Sequence, residues 1–237
     1  MNSTKPLYFR RRFPSEIISH CVWLYFRFSL SYRDIEEMMA KRGVIVSYET
    51  IRDWSHKFGG IYAKRLRARS TRPNDHWHLD EVYLSINGKA HYLWHAVDQD
   101  GEILDILVQP RRNKYAAKKF FRKLLKKLHY IPRVIITDKL RSYAAAKAEI
   151  MPEVKHVQDK GANIRAENSH QPTRERERRM RGFKSARHAQ RFLASYSVIG
   201  SFFCPGRHVL AAKNYREIMR QRFIQWNEIV SFGFTFQ

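Results

Sequence analysis

Three carboxylates in this sequence sit where folding alone does not explain them. Asp80 lies inside a strand-forming run, HWHLDEVYLSI. Asp138 closes the apolar run RVIITD. Glu167 stands near the head of the arginine-rich stretch NIRAENSHQPTRERERRMRGF. An unpaired carboxylate buried in a strand is costly, and the C-terminal ends of buried strands are where α/β sheets place their chemistry. Three oxygen donors, with no cysteine or committed histidine among them, suit a hard cation. Magnesium takes one or two carboxylates and completes its shell with water or substrate phosphate. Two such ions about 4 Å apart would bind the attacking and leaving oxygens of an in-line phosphoryl transfer. Taken singly, each acid has a plainer reading: Asp80 as a salt-bridge partner, Asp138 as a cap for the next helix, Glu167 as an acid favoured by a helix N-terminus.

Other residues compete less well. Glu81 adjoins Asp80 but points to the opposite face of a regular strand. Asp98 and Asp105 fall near the second turn and in the third strand, and Glu175 and Glu177, set among arginines, read as salt-bridge partners. His91 and His95 share a strand face but lie roughly 13 Å apart along it, so they read as packing rather than as a zinc site.

The elements that must bring the three acids together begin at residue 76, where the hydrophobic period changes from helical to alternating. HWHLDEVYLSI, AHYLWHAVD and EILDILVQP read as three strands joined by turns at NGK and QDG, the first a hairpin signal. KYAAKKFFRKLLKKLHY is an amphipathic helix with Ala116, Phe120, Leu124 and Leu128 on one stripe and lysines opposite, a basic ridge. RVIITD is a buried strand, SYAAAKAEI a short helix, VKHV a short strand, and the arginine-rich helix follows with Glu167 opening it. If the strands of Asp80 and Asp138 are neighbours, both carboxylates meet at one edge. The order β-β-β-α-β-α-β-α predicts a mixed sheet with helices on both faces, and it is also the order of the ribonuclease H-like fold.

Residues 1–70 read as helices. Ser31 and Asp34 form a variant capping box, Ile35, Met38 and Met39 share a face, Gly43 is a C′ stop, and a new helix starts at Ser47 with Ile51 and Trp54 inward. Two helices joined near a glycine resemble a helix-turn-helix. The polar run RARSTRPND, residues 67–75, is the expected linker. The predicted domains are 1–70, a helix-turn-helix DNA-binding domain; 71–190, the catalytic domain; and 191–237, a C-terminal helical segment whose packing the pattern leaves open.

The chain has 237 residues with a formal net charge of +23, and 43% of its residues are hydrophobic. That composition supports a core and excludes global disorder, while the charge points to a polyanionic partner, nucleic acid. Cys21 and Cys204 make no C-x-x-C pair, which argues against a zinc finger or a disulfide framework. The apolar run CVWLYFRFSL is too short to span a membrane, and no secretory h-region follows the N-terminus. A soluble, cytoplasmic, nucleoid-associated protein of a prokaryote is expected.

The blocks WHLDEVYLSINGKAHYLWHAVDQDGEILDILVQPRRNKYAAKKFFRKLL, PRVIITDKLRSY and RAENSHQPTRERERRMRGFKSARHAQRFL closely resemble DDE transposases of insertion-sequence family six, as does SYRDIEEMMAKRGVIVSYETIRDW nearer the N-terminus. The resemblance implies a helix-turn-helix that binds terminal inverted repeats, joined to a ribonuclease H-like catalytic domain. It implies that Asp80, Asp138 and Glu167 are the catalytic, metal-binding triad for two Mg2+ ions, with Mn2+ able to substitute. It further implies action on double-stranded DNA, both transposon ends and target, by a homo-oligomer that is at least a dimer. The sequence departs from the family in a shortened Asp138–Glu167 interval and in Ile164, where relatives often carry asparagine. Expected DNA contacts are Tyr48, Thr50 and Arg52 early in the second helix of the helix-turn-helix, Arg52 reading guanine. Arg174, about two helical turns past Glu167, is expected to hold a phosphate. Arg178 and Arg181 lie further along that side, and Lys139 and Arg165 complete the set. A non-catalytic DNA-binding regulator and a metal-dependent nuclease are the alternatives.

Overall fold

In the computed structural model, which describes residues 7–69, 74–138, 140–159, 161, 163, 171–205 and 210–231, the N-terminal helices form as their capping residues dictate. They are α1 (Ser15–Arg27), α2 (Tyr32–Ala40) and α3 (Tyr48–Arg69). Ser31 Oγ accepts the Asp34 N–H at 3.1 Å while Asp34 Oδ2 accepts the Ser31 N–H at 2.8 Å, the expected reciprocal box. Gly43 turns the chain after α2 with φ +75°. Ile35 and Met39 are buried, whereas Met38, expected beside them, is 39% exposed, because the buried stripe centres between Ile35 and Met39 and leaves Met38 on its rim.

The third helix is longer than the sequence pattern suggests. Gly59 does not end it. A Cβ at Gly59 would come within 2.4 Å of the Phe26 ring, so the glycine lets α1 and α3 approach closely. The chain divides into two compact units, Met1–Ser70 with Ser195–Gln237, and Thr71–Ala194. In the first, the C-terminal helix α8 (Ala212–Ser231) buries Trp226, Ile229 and Val230. Trp226 meets the Tyr62 ring edge-on at 5.2 Å, and Arg65 donates to the Ile229 carbonyl.

The second unit is built on strands β1 (His76–Ile86), β2 (Lys89–Asp98), β3 (Ile103–Gln109), β4 (Val134–Thr137) and β5 (Lys155–Gln158), with helices α4 (Lys114–Leu128), α5 (Arg141–Ile150) and α6 (Gln171–Arg179). Helix α7 (Ala186–Phe202) contributes to both units. Asn87 and Gly88, with φ of 51° and 72°, make the tight turn between β1 and β2. The sheet runs β3-β2-β1-β4-β5. Strands β1, β2 and β3 are antiparallel; β4 is parallel to β1 and β5 to β4. This is the ribonuclease H-like arrangement expected from the element order. One face packs Trp77, Leu79, Trp94 and Ala96 against Phe120, Phe121 and Leu124 of α4 and Tyr143 and Ala146 of α5.

The outer edge of β3 is covered. Gln190 of α7 accepts the Val108 N–H at 2.8 Å. Lys123 and Lys127 donate to the Ile106 and Leu104 carbonyls, each at 2.6 Å. Both lysines also pair with Asp105, which is 3% exposed. Lys114 and Lys118 pair with Glu149. The basic ridge expected along α4 is thinned: four of its cations pair with the protein itself, because a lysine stem can carry its ammonium away from the face where its Cβ emerges, while Lys119, Arg122 and Lys126 remain exposed. Among the described residues, no helix is long and apolar enough to cross a membrane.

Candidate active site

The site is set by where a parallel ladder stops. Strand β4 pairs with β1 from His76↔Val134 to Leu79↔Thr137. The next residues on the two strands are Asp80 and Asp138, so the carboxylates expected to meet at one edge do meet there. Their oxygens and one of Glu81 lie within 4.8 Å of one another, and this is the one such group of three or more potential metal ligands among the described residues. Glu167 and the neighbouring Arg165, as well as Lys139, lie outside the described residues.

The local backbone fixes each acid. Asp80 Oδ1 accepts the Glu81 N–H at 2.8 Å. Asp138 Oδ1 accepts the Leu140 N–H at 3.0 Å, a turn of the Asx kind that leads the chain into α5. Thr137, fully buried, donates to the Asp138 carbonyl at 2.7 Å, and its Oγ1 lies 2.9 Å from His156 Nε2. Asn163, 3% exposed, donates to the Leu79 carbonyl at 2.9 Å. It thereby ties the chain four residues short of Glu167 to the strand of Asp80. Across the sheet His95, also buried, stands in register with Asp80. His91 approaches the Lys89 carbonyl at 3.1 Å instead.

Glu81 is the correction here. By strand alternation it leaves β1 on the opposite face, toward Tyr143, yet its carboxylate reaches the same end of β4 as the two aspartates. Its side chain is 1% exposed. Burial, assisted by the charge of Asp138 and opposed by Tyr143 and Arg112, pushes its pKa up to about 7. Arg112, in the loop before α4, donates from Nε to Glu81 Oε1 at 2.6 Å, and its Nη2 lies 3.5 Å from Asp138 Oδ2. Neither Glu81, Arg112 nor Asn163 stood out as a site residue in the sequence. The signal available was an arginine directly after the third strand, in the RRN run.

The DNA-contact candidates fare unevenly. Arg52 is exposed, 3.6 Å from Asp53. Tyr48 is half-buried with the Arg33 guanidinium over its ring at 4.6 Å, and Thr50 hydrogen-bonds Ser47 at 3.1 Å. Arg174 and Arg178 are exposed on α6. Arg181 is not on the helix. The Gly182 N–H bonds the Glu177 carbonyl, the Arg181 N–H bonds that of Arg178, and Arg181 takes φ 55°, a Schellman termination with Arg181 at C′. Arg176 turns inward, 1% exposed, over the Phe192 ring at 5.6 Å. Glu177 titrates above its ordinary range because burial outweighs the charge of Arg174.

What the arrangement can do follows from its donors. Among the described residues, three carboxylates converge with the Arg112 guanidinium beside two of them, an oxygen-donor set that fits a hard divalent cation. A family model described as a DDE domain matches residues 74–203. The transposase for insertion sequence-like element IS431mec of Staphylococcus aureus is 31% identical over 186 residues, covering 76% of this chain and 83% of the relative. The transposase for insertion sequence element IS257 in transposon Tn4003, also from Staphylococcus aureus, matches to the same extent. Among solved structures, the HTLV-2 integrase catalytic core domain in complex with magnesium (trimeric form) aligns with a TM-score of 0.41 at 13% identity, over 64% of this chain and 99% of that one.

Proposed function

The chain belongs to the DDE transposases of insertion-sequence family six, and from that premise we propose that Asp80 and Asp138, completed by Glu167, hold the divalent cations of its strand-transfer site. The chain is a transposase, an enzyme of the polynucleotidyl transferase kind. The observation that carries the assignment is the convergence of Asp80 and Asp138 at the point where β4 leaves β1.

Magnesium bound there would supply charge neutralisation and orientation for the attacking and leaving oxygens. The chain's own residues do the rest. Main-chain N–H groups of Glu81 and Leu140 fix one oxygen of each aspartate and so orient both carboxylates. Asn163 holds the approach of the segment that carries Glu167. Exposed Arg174 and Arg178 bind DNA phosphates beside the site, and Arg52 on α3 reads the terminal inverted repeats. Catalysis is positioning and charge neutralisation, without a covalent enzyme intermediate. Water attack frees a 3′-hydroxyl at the transposon end, and that hydroxyl attacks target DNA. Paired ends require at least a dimer, acting in the cytoplasm on the nucleoid.

The test is an in vitro reaction with paired ends, target DNA and Mg2+. Joined products that vanish in Asp80→Asn, Asp138→Asn and Glu167→Gln, with end binding retained, are expected. Undiminished joining by any one variant removes that residue from the site.

A further inference from the structure

Three carboxylates meet at the end of β4, and among the described residues one guanidinium reaches two of them, Glu81 and Asp138. Arg112 comes from the loop between β3 and α4, whose exit is pinned by Asn113 capping the Ala116 N–H at 3.0 Å. Glu81, itself buried, grips the guanidinium through Nε and Nη2. Held that way, Nη2 stands 3.5 Å from Asp138 Oδ2, the oxygen that does not take the Leu140 N–H. Arg112 remains 43% exposed at this position.

We propose that Glu81 and Arg112 are a built-in counter-charge for the cation site. In the free protein the guanidinium stands at the Asp138 oxygen that a divalent cation needs, so the two compete for it. When a cation takes Asp138, Glu81 keeps Arg112 beside the site, where its exposed side meets a phosphate oxygen of bound DNA. The planar fork of arginine can serve two acceptors at once, which a lysine ammonium does not do in the same geometry. Arg112 and Glu81 are positioning residues in the free state, and Arg112 becomes a phosphate ligand in the DNA complex. The inference rests on Asp80 and Asp138 being cation ligands.

The experiment is Mn2+ titration of the full-length protein without DNA, read from the paramagnetic resonance of unbound Mn2+. Arg112→Gln is expected to bind roughly five- to tenfold tighter than the parent, since its competitor is gone, a gain moderated by the partial exposure of the pair. Arg112→Lys shifts the same way by less, and carries the test if thermal melts show Arg112→Gln unfolded. With cation present, Arg112→Gln should also lower the salt dependence of duplex binding by about one phosphate contact. Equal or weaker Mn2+ binding by the folded variant, where Asp80→Asn abolishes binding, overturns the counter-charge and leaves the metal reading intact. An unchanged salt slope overturns the phosphate contact. Mn2+ binding that Asp80→Asn does not touch overturns the reading on which both rest.

Discussion

Two acidic places on one sheet are built to opposite ends. At the β3 edge a single carboxylate, Asp105, is buried and held by two ammonium groups, Lys123 and Lys127. At the end of β4 three carboxylates converge, and Arg112 reaches two of them, Glu81 and Asp138. The first is over-neutralised and seals the sheet edge, so its charge is spent on folding. Among the described residues, the second carries more carboxylates than cations, which suits an added cation. Burial alone does not decide between them, because the Glu81 side chain is as hidden as that of Asp105 while Asp138 is 30% exposed. The balance of charge does, and it marks which acids serve structure and which serve chemistry.

The comparison can be broken in graded ways. The largest effect belongs to Asp80→Asn or Asp138→Asn: strand transfer should fall roughly a thousandfold or more, while urea melts show a protein no less stable, since like-charge repulsion is relieved. Asp105→Asn should do the reverse. It strands two ammonium groups and should cost on the order of 3 kcal/mol in chemical denaturation, with strand transfer retained below the melting temperature.

The same carboxyl has a pH signature. Burial alone would raise its pKa, but Lys127 and Lys123 outweigh burial and hold it below its ordinary 3.8. A depressed folded pKa gives stability that is complete above 3.8 and lost as the pH falls through the folded value. The stability gap between the parent and Asp105→Asn should therefore close in strongly acidic buffer and stay constant from pH 5 upward, which calorimetry across pH can read. The smallest effect concerns cations. Arg174→Ala should weaken DNA binding a few-fold and lower its salt slope by about one. Lys123→Ala should leave the slope unchanged, because Lys123 is turned into the fold.

Much of this was legible in the residues. Alternation from His76, the Asn87-Gly88 turn and the apolar run ending at Thr137 foretold the strands, and their order foretold the sheet. Asp80 and Asp138 were expected to meet because one lies within a strand and the other closes a strand, although each singly also had a plainer structural reading, and their carboxylates do converge. What stayed hidden was set by reach rather than by period. A period of two says which face Glu81 leaves, not that its longer side chain comes round to the end of β4. A helical period says where the Cβ of Lys123 points, not that its stem returns to the Ile106 carbonyl. Arg112 meets Glu81 only because β3 and β1 are brought together through β2, a long-range fact that no local window contains. Two further features around α6 were also not legible in a helical period. Arg176 has a packing partner in Phe192, and Arg181 has become a helix terminator.

The acids at the end of β4, and not the acid at the β3 edge, are expected to take a divalent cation. Thermal melting of the full-length protein with and without saturating Mg2+ or Mn2+ tests it most directly, since a ligand at a hundred times its Kd stabilises by about 2.7 kcal/mol. The same upward shift is expected in the parent and in Asp105→Asn, and none in Asp80→Asn or Asp138→Asn. A shift that survives in both of those variants would contradict it.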